Sequence, residues 1–204
     1  PLLTADALAE LSASGIKRIA MSLDGVDAET HDHFRGVIGT FARTMSAITT
    51  AKRLGMEVQI NTTVSQHNVH QVREIARLVG WLNATLWSVF QVVPTGRAAA
   101  SDDAIVLQAG VQERLYRLLA DIALHPETPF DIKTTAGQPY YRVLAQERQR
   151  RGQQNDLTKR SLRAPRGVND GNGFVFISHT GALCPSGFLP IEAGNVRTHS
   201  LSTV

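Results

Sequence analysis

Apolar positions along the first 125 residues follow two periods in alternation. Leu8 and Leu11, with Thr4 before them and Gly15 behind, predict a short capped helix. Ile19–Leu23 is a brief apolar run ending in Ser22-Leu23-Asp24-Gly25, which predicts a buried strand that turns at the glycine. A polar stretch holding Glu29, His31, Asp32 and Arg35 follows and reads as a loop closing on Gly36. Thr40 is placed to cap a second helix with Phe41, Met45, Ile48 and Leu54 inward. Glu57–Val64 alternates strictly, so Val58 and Ile60 face the helices and Gln59 and Asn61 share the opposite face. Val69, Val72, Ile75, Ala76 and Val79 give a third helix. The nearly continuous apolar run Leu86–Val93 predicts a strand covered on both faces, ending at Pro94-Thr95-Gly96-Arg97. Leu107, Val111, Leu115, Leu118 and Ile122 mark a fourth helix.

Helices and strands that alternate over short connections predict an α/β fold with parallel strands and right-handed crossovers. An open sheet and a barrel both fit. Three strands make a poor closed unit, so further strands are expected before Pro1. The pattern then changes. Phe130–Thr135 reads as another strand, and Ala136 to about Arg151 as a helix. Gln153–Gly173 is polar with little periodicity and reads as a linker. Phe174–Ser178 and Ala182–Cys184 flank His179-Thr180-Gly181 as a hairpin, and Pro185–Val204 reads as loop.

Composition narrows the chemistry. The 204 residues are 43% hydrophobic and 19% charged, as in ordinary globular proteins, and the formal charge is +3. The one basic cluster runs from Arg148, Arg150 and Arg151 to Lys159, Arg160, Arg163 and Arg166. No aromatic residues interleave it, which favours a solvated face over nucleic-acid binding. The single cysteine, Cys184, excludes an internal disulfide and fits a reducing, cytoplasmic location. No apolar stretch reaches the ~20 residues of a membrane span, and no signal peptide is visible.

Candidate chemistry gathers at strand carboxyl ends, where α/β proteins place their ligands. SLDG ends one strand, HDHFRG follows, INTTV ends the next, and VVPTGR closes the third. Together with GFVFISHTGALCPSGFLPIEAGNV this series resembles the later half of a radical S-adenosylmethionine (SAM) core followed by the start of a SPASM-type auxiliary-cluster region, as in haem-maturation and peptide-modifying maturases. The resemblance implies strands four to six of a partial (β/α)6 TIM-like barrel over residues 1–125, a connecting strand, helix and linker over 126–173, and a SPASM-like β-hairpin region over 174–204. It implies a [4Fe-4S] cluster that reductively cleaves SAM, a peptide or tetrapyrrole-type substrate, and an electron donor such as flavodoxin or ferredoxin. Neither the CxxxCxxC that holds that cluster nor the family's GGEP segment occurs in these residues, and the later SPASM cysteines do not occur either.

The SAM-binding residues the resemblance implies are Ser22, Asp24, Arg35, Gln59, Asn61 and Val93. Ser22 matches the serine that bonds the ribose or amino-acid part, Arg35 the arginine that pairs with the carboxylate, and Val93 the backbone contact to adenine. A guanidinium fork suits a carboxylate. Each also has a plain reading. Ser22 satisfies backbone, Asp24 caps a turn, Arg35 pairs with Glu29 or Asp32 at the surface, and the two amides bond their neighbours. His31 and Asp32 are read as loop-shaping, and Arg97 as a substrate contact or a helix cap. Cys184 is a candidate ligand for an auxiliary Fe-S cluster. Its position before Pro185, with Ser186 where the family places cysteine, equally fits a buried packing residue. Two rival readings are a different β/α-barrel enzyme using Asp24 or His31 as acid–base groups, and a non-catalytic peptide- or RNA-binding module using the basic segment.

Overall fold

The computed structural model describes residues 3–93, 105–153, 175–187 and 189–200. The chain divides into two compact units, Pro1–Ala164 and Pro165–Val204. In the first, helices alternate with four parallel strands. The order is α1 (Ala5–Ala13), β1 (Arg18–Ser22), α2 (Ala28–Arg35), α3 (Thr40–Arg53), β2 (Glu57–Val64), α4 (Val72–Trp81), β3 (Leu86–Gln91), α5 (Ala109–Ala123), β4 (Asp131–Thr135) and α6 (Pro139–Arg150). The strands pair in sequence order, β1-β2-β3-β4, each parallel to its neighbour.

The alternation in β2 sorts the two faces of the sheet. Val58, Ile60, Thr62 and Val64 are fully buried on one face, whereas Gln59, Asn61 and Thr63 are half-buried on the other. Met21, Val58, Ile60, Trp87 and Val89 pack with Leu8, Ile48, Ala51, Ile75, Val79 and Leu119 from the helices into one continuous core. That burial is the main force holding the unit together. The fourth strand, expected at Phe130–Thr135, runs Asp131–Thr135 and extends the same parallel sheet, with Leu86, Ser88 and Phe90 opposite Asp131, Lys133 and Thr135.

The polar stretch after β1 is not a loop. Residues 28–35 form helix α2, started by Asp27, whose side chain accepts from the Thr30 amide at 2.8 Å, and ended by Gly36 in the left-handed conformation. The stretch shows no apolar stripe because His31 is its one buried residue. Thr40 is not a cap but the first helical residue of α3. The capping group is the Asp32 carboxylate, which accepts from the Gly39 amide at 2.5 Å, the Thr40 hydroxyl at 2.7 Å and the Phe41 amide at 2.7 Å. The Thr40 hydroxyl, with the Phe41 and Gly39 amides, pulls the Asp32 pKa down to about 2 against the opposing effect of burial. Leu54, expected inward, is the C-cap of α3 and is exposed.

In the second unit, β5 (Phe176–Ile177) pairs antiparallel with β6 (Ala182–Cys184) around Gly181, as the hairpin pattern predicts. A Cβ at Gly181 would stand 2.7 Å from Asn195 Oδ1, and its φ of +88° suits glycine. The segment expected to be loop contributes a third strand, β7 (Gly194–Asn195), paired with β6. Two residues are too short to carry a period. Phe174, most of the 153–173 linker and the basic residues Lys159, Arg160, Arg163 and Arg166 lie outside the described residues. Of the basic residues that are described, Arg150 pairs with Glu147 and Arg151 with Asp121, as a solvated helix face does.

One buried polar tie crosses the core. The Thr62 hydroxyl donates to the Leu23 carbonyl at 2.8 Å and accepts from the Trp87 indole at 2.9 Å. Thr62→Val keeps the volume and leaves both partners unsatisfied. Thermal unfolding followed by far-ultraviolet circular dichroism should show a loss of about 1–3 kcal/mol, while Ile38→Ala at a position 91% exposed should leave the midpoint unchanged.

Candidate active site at the strand carboxyl ends

The turn after β1 is built around Asp24, which is fully buried. Its Oδ1 accepts from the Thr63 amide of β2 at 2.8 Å, and its Oδ2 pairs with the Arg35 guanidinium at 2.5 Å. Its own amide donates to His31 Nδ1 at 3.0 Å, and its carbonyl accepts from Asn68 Nδ2 at 2.8 Å. Asn68 also bonds the Thr63 carbonyl and the Ser65 amide, so the ends of β1 and β2 are fastened together. Gly25 lets α2 come this close. A Cβ there would stand 2.7 Å from both the His31 amide nitrogen and Thr30 Cβ.

Electrostatics follow from that packing. Burial pushes the Asp24 carboxyl up, against the pull of Arg35 and the Thr63 amide. Burial, and then the Arg35 charge, hold His31 down. A neutral His31 accepts at Nδ1 and carries its proton at Nε2. Arg35 therefore pairs with neither Glu29 nor Asp32, the partners its surroundings suggested. Asp32 is committed to the start of α3, and the turn of α2 carries the guanidinium to Asp24.

Of the residues singled out in the sequence, Ser22 and Arg35 come together. Both line a cleft of about 570 Å³ beside β1, with His31, Thr40, Arg43 and Thr44. Arg35 keeps 34% of its side chain exposed, enough to reach a ligand beyond Asp24. Asp24 is occupied within the chain, and its direct service is to Arg35. Gln59 and Asn61 share a face, as alternation predicts, and bond one another, Nε2 of Gln59 donating to Oδ1 of Asn61 at 2.8 Å. Asn61 stands directly beside Ser22 in the register of β1 and β2. Val93 lies two residues past the end of β3 and is half-buried, and Pro94–Arg97 fall outside the described residues. Cys184 is buried in β6, in the other unit. Among the described residues no group of three His, Cys, Asp or Glu side chains is arranged to hold a metal. No helix among them is long and apolar enough to cross a membrane.

Register shows two residues that periodicity did not single out. Ser22, Asn61, Ser88 and Lys133 form a single rung across all four strands on one face. The alternation of β2 was readable, but the offset of each strand against its neighbours was not.

Residues 1–79 match the model of the radical SAM superfamily. Over 200 residues the chain is 38% identical to the AdoMet-dependent heme synthase of Nitratidesulfovibrio vulgaris, covering 96% of this chain and 53% of that protein. The first 79 residues of this chain are thus similar to the radical SAM superfamily. The heme synthase of the same name from Methanosarcina barkeri is 34% identical over 96% of this chain and 55% of its own length. The mycofactocin maturase MftC of Mycolicibacterium smegmatis is 33% identical over 56% of this chain and 29% of its own. The chain spans about half the length of the heme synthases it matches. Among solved structures, Streptococcus suis SuiB bound to S-adenosylmethionine shares the fold with a TM-score of 0.56 at 14% identity, over 92% of this chain and 41% of its own.

Because the folded state holds His31 below its ordinary value, the unfolded chain takes up that proton first as pH drops. Stability is therefore full above about pH 6.5 and declines below it. His31→Asn keeps an acceptor near the Nδ1 position without a titrating ring, so its unfolding midpoint should fall less between pH 7 and 5 than the wild type's.

Proposed function

We infer that the chain is the SAM-binding part of a radical SAM enzyme that modifies a tetrapyrrole-type substrate. The carrying observation is the placement of Ser22 and Arg35 on one cleft at the carboxyl end of β1, inside the segment that matches the superfamily. SAM offers a carboxylate, an ammonium and ribose hydroxyls. The residues present fit it. Arg35 is anchored by one nitrogen on Asp24 and remains one-third exposed, which suits a carboxylate. The Ser22 hydroxyl makes no hydrogen bond among the described residues and is free for a ribose or amino-acid contact. Gln59 and Asn61 supply amides on the same face, and Val93 offers backbone for adenine. Asp24 acts through Arg35 rather than on the ligand.

The iron–sulfur cluster does not fit these residues. It needs three thiolates, and the sequence holds one cysteine. The cluster ligands belong to other parts of the full-length protein, and the four-stranded sheet is then the later portion of a partial barrel. The second unit is read as the beginning of a SPASM-like region, with Cys184 as a packing residue of its small sheet. The protein is cytoplasmic and draws electrons from a flavodoxin or ferredoxin type of donor. Tetrapyrrole chemistry is preferred to peptide chemistry because the heme synthases match 96% of this chain, whereas MftC matches 56%.

The test uses the full-length protein, purified without oxygen and reconstituted with iron and sulfide. SAM and a strong reductant should yield 5′-deoxyadenosine. Ser22→Ala and Arg35→Ala should each raise the SAM concentration for half-maximal rate, by about tenfold for the loss of a charge-assisted contact at Arg35. Arg35→Lys should recover part of that loss. No bound iron and no deoxyadenosine would remove the reading.

A further inference from the structure

The rung Ser22–Asn61–Ser88–Lys133 has a far end that SAM binding does not use. Neighbouring parallel strands lie ~4.8 Å apart, so Lys133 stands roughly 14 Å from Ser22 along the rung. Lys133 is half-buried on β4 and makes no ion pair among the described residues. A buried ammonium without a counter-charge is costly, and proteins ordinarily pair it. Beside it, Ser88 is fully buried and its Oγ has no hydrogen-bond partner. An unpaired cation and an unpartnered hydroxyl adjacent on one face form half of an ionic contact. Arg18 is the nearby cation that acts on Lys133, and it is spoken for by Glu57 at 2.6 Å. Burial, followed by the Arg18 charge, holds the lysine below its ordinary value, which is the cost an incoming anion would relieve.

We propose that Lys133 and Ser88 form an anion subsite that takes a carboxylate of the substrate. This rests on the radical SAM reading for the identity of the substrate, but the subsite itself rests on the rung. Lys133 is a substrate-binding residue at the opposite end of the rung from Ser22. The ammonium supplies charge and the hydroxyl donates one further hydrogen bond, so the pair fixes one edge of the substrate.

The probe is mesoporphyrin IX, a tetrapyrrole with free carboxylates, titrated into the full-length protein and followed by its Soret absorption. Its dimethyl ester is the uncharged control. The wild type should bind the diacid at least tenfold tighter than the diester. Lys133→Met should lose about tenfold in affinity for the diacid and nothing for the diester. Lys133→Arg should keep most of the affinity, and Ser88→Ala should lose a few-fold. Ser88→Ala removes an unbonded hydroxyl, so it should fold with an unchanged unfolding midpoint and keeps the test readable if Lys133→Met folds poorly. Equal binding of diacid and diester, no diacid binding at all, or a Lys133→Met variant that binds like the wild type would each overturn the subsite. Selective loss of substrate-free 5′-deoxyadenosine formation in Lys133→Met would place Lys133 on SAM and overturn the assignment. A wild type that discriminates diacid from diester yet forms no deoxyadenosine would leave the subsite standing and remove the radical SAM activity.

Discussion

The site depends on one buried carboxylate. Asp24 carries no exposure and would be expensive as an isolated charge, yet it ties the end of β1 to two further elements. It holds the end of β2 through the Thr63 amide, the last turn of α2 through Arg35, and the middle of α2 through the bond from its own amide to His31. Removing it would strand Arg35 against a low-dielectric surface and release α2 from the sheet. A half-buried arginine that must meet a carboxylate benefits from such an anchor, because one nitrogen is fixed and the fork keeps its direction.

A division of labour follows along α2 and the turn behind it. His31 and Asp32 are adjacent and both polar, but they face different tasks. His31 closes on β1, and Asp32 starts α3 with three hydrogen bonds. Asp32 is spent on the start of α3, and of the two groups the rival acid–base reading named, Asp24 is engaged through both oxygens and His31 through Nδ1.

Much of the scaffold was legible from local pattern. The bounds of β2 follow from its strict alternation, and the apolar run Leu86–Val93 marks β3, which ends two residues sooner at Gln91. The misses are also physical. Helix α2 has a polar sequence because it buries a histidine rather than a leucine, so no periodic stripe announces it. The Arg35 partner lies eleven residues back, reached by a turn and a helix whose geometry no spacing rule encodes. Ser88 and Lys133 each sit in an unremarkable strand. Their meaning comes from register, which is set by long-range packing and aligns residues 111 positions apart, from Ser22 to Lys133.

The bond between Gln59 and Asn61 has a consequence for what the sheet face can recognise. Because the Asn61 oxygen accepts from Gln59, the Asn61 NH₂ group is left to donate to a ligand. With hydroxyls at Ser22 and Ser88 and the ammonium of Lys133, the row becomes an array of proton donors. Such a surface sorts ligands by polarity. It favours molecules rich in oxygen acceptors, while the two hydroxyls, which also accept, can still meet a donor such as an ammonium.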